Sequence, residues 1–125
     1  MGQYFYIVNL DKKEYLHPHC FGDGLKLMEF GCSSNGTMTA LTFLLRKSDD
    51  GGGGDFNEFE SYPIVGSWAG DRIVIIGDYD SSRLHQESYN TYKNISHDIL
   101  VPMLIDSYIK KSFEENHLFC PHKGV

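Results

Sequence analysis

Hydrophobic and polar positions divide the chain into short elements. QYFYIVNL (3–10) is β-branched and aromatic, which predicts a strand. DKKE (11–14) is a polar turn, and YLH (15–17) can return antiparallel to the first run, giving a hairpin. Pro18 removes a backbone donor and constrains His17 to an extended shape, so the chain leaves the sheet there. In GDGLKLMEFG (22–31) the spacing of Leu25, Leu27, Met28 and Phe30 does not separate helix from strand. SSNGTMTALTFLLRKS (33–48) is clearer: Met38, Leu41, Leu44 and Leu45 follow a helical pattern, with Asn35 or Thr37 as N-cap. Arg46 and Lys47 suit its C-terminal dipole.

The second half reads less evenly. SDDGGGGDFNEFESYP (48–63) is of low complexity, and its 48–58 part is expected to be a flexible loop. IVGSWAGDRIVIIGDYDSS (64–82) reads as a second hairpin, with the apolar RIVIIG (72–77) as the candidate central strand. RLHQESYNTYKN (83–94) fits no pattern. SHDILVPMLIDSYIKKSFEEN (96–116) predicts a helix capped by Ser96 or Asp98, with Pro102 tolerable only in its first turn. Residues 117–125 form a tail outside it. No internal repeat is evident. The order predicts one α+β domain over residues 1–125: an antiparallel sheet of hairpins with two main helices packed on one face.

Composition narrows the function classes. The 125 residues are 41% hydrophobic and 14% aromatic, which suits a folded globule. The net charge of -6, with Lys12-Lys13 and Lys110-Lys111 as isolated basic pairs beside acids, argues against nucleic acid as a partner. No run of eighteen apolar residues spans a membrane, and the N-terminus lacks the pattern of a signal peptide. With three cysteines, Cys20, Cys32 and Cys120, these features predict free thiols and a cytoplasmic setting.

Candidate chemistry gathers in a few places. His17, His19 and Cys20, with Cys120 and His122, carry zinc-ligand side chains, yet the spacing matches no standard finger. Asp78 and Asp80 in GDYDSS, after the apolar strand, could hold magnesium or act as acid and base beside His17, His19 and Asp23 in a metal-dependent hydrolase. Asp beside Gly is also ordinary turn chemistry, and the EF-hand pattern fails because Tyr89 stands where Glu is needed. GGGGDF lacks the Gly-Lys-Ser/Thr of a phosphate loop, GSWAG is not a nucleophile elbow, and no spacing supports a Cys-His pair. Trp68 and Arg72 in GSWAGDR offer a stacking ring and an anion contact. The competing reading folds Trp68 over the edge of the core. With Asp71, Asp23 and His19 they make a candidate ligand site, provided that GSWAGDR lies beside the corner at 17–23.

VNLDKKEYLHPHCFGDGLKLMEFG, GTMTAL and GSWAGDRIVIIGDYD together resemble a group of small proteins met in bacterial and phage genomes. The likeness covers roughly residues 1–80 and carries no catalytic residue with it. It implies an accessory or mobile-element setting, in which small acidic proteins work by binding. The combined expectation is a non-catalytic binding protein for a small polar ligand such as a nucleotide, with self-association as one way to complete the pocket. A protein-interaction module that inhibits a basic partner and the metal-dependent hydrolase are the alternatives.

Overall fold

The computed structural model describes residues 2–33, 35–48 and 62–105. In chain order they form β1 (Phe5–Asn9), β2 (Glu14–Leu16), a 3-10 turn (Pro18–Phe21), α1 (Leu27–Gly31), α2 (Thr37–Leu45), β3 (Ile73–Gly77), α3 (Leu84–Thr91), β4 (Lys93–Asn94) and α4 (Ser96–Ile105). The expectations for the loop from residue 49 to 58, for the second helix beyond Ile105 and for the tail 117–125 lie outside the described residues.

The fold is α+β, built on one four-stranded sheet in the order β3-β1-β2-β4. The first hairpin forms as its residues predict, with Asn9 opposite Glu14 and Ile7 opposite Leu16. Two expectations about the sheet need correction. It is mixed rather than antiparallel, because β4, from the stretch that fitted no pattern, pairs parallel with β2. RIVIIG is an edge strand of the described sheet, with Ile75 42% exposed, whereas β1 is paired on both sides.

β3 pairs antiparallel with β1, from Phe5 opposite Gly77 to Asn9 opposite Ile73, and not with a preceding arm. The expected first arm is instead a run of turns. Its N–H groups are consumed locally, from Val65 to the Tyr62 carbonyl (3.0 Å) and from Ser67 to that of Ile64 (3.0 Å). Two others satisfy carbonyls at the end of α2: Gly66 N–H donates to Phe43 (2.9 Å) and Trp68 N–H to Leu44 (3.0 Å). A helix leaves its last carbonyls without internal partners, so α2 needs this segment as a cap. Gly66 has φ +82°, and a Cβ there would come 2.6 Å from the Arg46 carbonyl oxygen. Only glycine fits that approach.

The pleat gives the sheet two covered faces. Ile7 and Leu16 join Phe30, Leu41, Leu44, Trp68, Ile99 and Met103 in one core, to which α1, α2 and α4 contribute. Tyr6, Val8, Tyr15, Ile76 and Tyr92 form a second core on the opposite face, with Leu84 of α3 packed against it. Within α2 the buried stripe is Thr37, Ala40, Leu41, Phe43 and Leu44, while Leu45 is exposed.

The helix caps also differ from expectation. Gly36 is the N-cap of α2, and the Asp23 carboxylate does the capping from the preceding turn, accepting from Thr37 N–H (2.8 Å) and the Thr37 hydroxyl (2.6 Å). At α4 the Asn94 carboxamide oxygen accepts from Ser96 N–H (3.0 Å), and Ser96 lies within the helix. Pro102 sits inside α4, in its second turn rather than its first, where it withholds the N–H that would reach the Asp98 carbonyl. Replacing Asp23 by Ala should lower stability by about 1–2 kcal/mol, read as a reduced urea midpoint. An unchanged midpoint would show that the cap contributes nothing.

Candidate functional site

The residues that looked like a ligand site are used in holding the fold together. Trp68 is fully buried, and its indole N–H donates to the Glu14 carboxylate (2.8 Å). Asp71 accepts from the Asn9 carboxamide (2.8 Å) and pairs with the Lys12 ammonium. Arg72 donates through Nε (2.9 Å) and its backbone N–H (2.8 Å) to Asp11. All three therefore attach the 62–72 segment to the tip of the first hairpin. Asp23 caps α2, and His19 stands exposed on the 3-10 turn. His17 and the 3-10 turn follow the other end of β2, so the strands separate GSWAGDR from the 17–23 corner.

Hydrogen bonding holds the hairpin carboxylates ionised. The Arg72 backbone N–H and then its side chain push the Asp11 carboxyl below its ordinary value, and Lys12 followed by Asn9 does the same for Asp71.

Beyond β3 the chain builds a different place. A cleft of about 470 Å³ is lined by Asp78, Asp80, Ser81, Arg83, His85 and Gln86. Local hydrogen bonds shape its rim. Asp78 Oδ1 accepts from Tyr4 N–H (3.1 Å), and Asp80 Oδ2 accepts from Ser82 N–H (3.0 Å). Ser82 Oγ in turn accepts from Leu84 N–H (3.2 Å), leading the chain into α3. Arg83, the N-cap residue, adopts φ +63°, a left-handed backbone that side chains rarely take. Ser82 bonding pushes the Asp80 carboxyl below its usual value.

Behind the cleft lies a cluster of rings centred on Tyr6. His85 stacks on it at 4.2 Å with 7° between planes. Tyr89, one helical turn further along α3, is 6.2 Å away. Tyr15 and His17 approach Tyr6 at 5.2 and 5.1 Å, and His19 lies 5.1 Å from His17. His17 is tethered from both sides: its N–H donates to Ser96 Oγ (2.9 Å), and its Nδ1 accepts from His19 N–H (3.3 Å). Burial, then the nearby His19 and His85 charges, pull the His17 imidazole down to about 4. Burial also lowers His85, against an opposing pull from Asp78. Tyr6 rises to about 12 through burial, with Tyr89 and Asp78 adding to it.

The structure thus places Asp78 and Asp80 on one cleft, and His17 and His19 against each other behind it. Among the described residues, no group of three or more His, Cys, Asp or Glu side chains is arranged to hold a metal ion. His17, His19, Asp78 and Asp80 are all described and make no such group among the described residues, while Cys120 and His122 lie outside them. Sequence reasoning missed Ser81, Arg83, His85 and Gln86. The available signal was His85 and Tyr89 at helical spacing in a stretch whose polarity hid the helix.

Stability should follow the histidines. The folded His17 value of about 4 lies below the ordinary 6.5, so between them the unfolded chain binds the extra proton. Stability is then lost as pH falls from about 6.5 to about 4. The His17 share reaches about 3 kcal/mol, and His85 acts in the same direction. Asp11, Asp71 and Asp80 extend the loss to lower pH, as each passes its depressed folded value. Urea unfolding at pH 7.5 and 4.5 measures this, and equal stabilities would contradict the burial of His17.

No family model, no curated protein and no solved structure matches this chain.

Proposed function

We propose that the protein is a non-catalytic binding protein that takes a small polar ligand into the cleft between the end of β3 and the start of α3. The supporting observation is the cleft itself. Its 470 Å³ falls in the range of small-molecule sites, roughly 300–1,000 Å³. Asp78 and Asp80 offer acceptors, Arg83 a forked donor, Ser81 and Gln86 both, and His85 a flat ring braced by Tyr6.

Two carboxylates against one guanidinium favour a neutral or cationic molecule rich in hydroxyl or amine donors. A nucleoside or an amino sugar fits this description better than a nucleotide, whose phosphates would meet Arg83 alone among two acids. The GSWAGDR residues take no part, because their polar groups are occupied by the hairpin.

A thermal-shift panel of adenosine, adenosine monophosphate, glucosamine and spermidine tests the reading. At least one donor-rich compound should raise Tm, and the monophosphate should do so less than its nucleoside. Arg83→Gly, which keeps the left-handed backbone, and Ser81→Ala should each weaken the binding roughly tenfold, as the loss of a polar contact implies. A flat panel, or affinity indifferent to both substitutions, would refute it.

A further inference from the structure

We propose that Tyr6, His17 and His85 form a proton-operated latch that holds α3 on the sheet. Besides Leu84 and the buried Ser88, α3 meets the sheet through two rings at helical spacing, His85 and Tyr89, both against Tyr6. On β1, Tyr6 also carries His17, whose backbone is fixed to α4 through Ser96. One tyrosine therefore joins α3, β1 and the segment leading to the 3-10 turn.

Neither histidine has room for a second proton. His17 Nδ1 already accepts the His19 N–H, so its neutral form carries hydrogen on Nε2. Protonating Nδ1 would remove the acceptor that fixes the start of the 3-10 turn. His85 Nε2 is buried and has no hydrogen-bond partner among the described residues. An imidazolium there would hold an unanswered N–H. Two cations beside one tyrosine would also repel each other.

The surrounding groups set the direction. Tyr15 and the buried Cys20 face the cluster from β2 and the 3-10 turn, His19 flanks His17, and Tyr89 lies on α3. Lys93 of β4 and Asp98 of α4 pair with each other at 3.6 Å. Asp78 is the acid that attracts a proton to His85, and the Tyr6 face would attract an imidazolium. Burial outweighs Asp78, so the latched form stays neutral where a released His85 would charge. Acidification below about 6.5 therefore favours release of α3. Because His85 and Gln86 reach the cleft from α3, release dismantles it. That consequence rests on the binding function proposed above; the latch itself does not.

Amide hydrogen exchange of the full chain at pH 7.5 and 5.0, corrected for intrinsic rates, tests the latch without any ligand. Protection of residues 84–91 should fall roughly tenfold or more. Protection of Ile7 and Val8 should stay above that of residues 84–91 at both pH values, although the global loss attributed to His17 lowers it too, and the emission of buried Trp68 should hold. His85→Phe keeps a ring on Tyr6 without a titrating group there and should diminish the pH effect to the share that His17 carries. Imidazole titration in the unaltered chain gives an independent readout, with His85 expected to titrate below 6.5. One common level of protection in α3 and β1 at pH 5.0, an undiminished effect in H85F, or titration of His85 at or above 6.5 would overturn the proposal. A failed ligand panel would leave it standing.

Discussion

Asn9 is a polar side chain with no exposure at the end of the strand that both neighbours pair with, and a buried amide must be hydrogen-bonded. Its oxygen accepts from Asp11 N–H (2.9 Å) and Lys12 N–H (2.7 Å), which folds the hairpin tip back on the strand. Its nitrogen donates to Asp71, sixty-two residues away. Asp71 is thereby delivered to Lys12, and Arg72 to Asp11. The same attachment starts β3 opposite Asn9 and presses Trp68 into the core against Glu14. The cap on α2 follows, because Gly66 and Trp68 donate to its last carbonyls from this segment. The sheet register, one helix end and the lone tryptophan thus depend on the satisfaction of one amide.

This dependence explains what the sequence made legible. β1, β2 and α2 are written in local patterns: alternation, a polar turn and helical spacing. The segment 64–70 reads as a strand arm because its apolar residues and glycines look like one. Its N–H groups are committed to turns and to α2, a partner that no local pattern shows. Asp23, Trp68, Asp71 and Arg72 invited a chemical reading for the same reason, since their partners Thr37, Glu14, Asn9 and Asp11 are distant in the chain. α3 is hidden because Leu84 is the one aliphatic residue among the described ones on its inner face, the rest being His85, Ser88 and Tyr89. β4, two residues long, carries no periodicity to read.

The two ends of the sheet are consequently built on different terms. At the hairpin tip every charged group named above has an opposite charge or a donor, and Trp68 is covered. Where β3 runs into α3, each rim carboxylate spends one oxygen on a backbone N–H, and the wall behind is of imidazole and phenol rings. The closed end fixes the fold. The open end has the concavity and the mixed polar groups on which the proposed binding rests, carried by a helix that meets the sheet through His85, Tyr89, Leu84 and the buried Ser88.

The claim that Asn9 and Asp71 act as one clamp is tested most directly by a double-mutant cycle of Asn9→Ala and Asp71→Ala, with unfolding followed by Trp68 fluorescence in urea. The account predicts losses of about 2 kcal/mol for Asn9→Ala and a coupling of about 1 kcal/mol or more between the sites. Additivity within about 0.3 kcal/mol would show that the two act independently, and the clamp would no longer explain why GSWAGDR is buried.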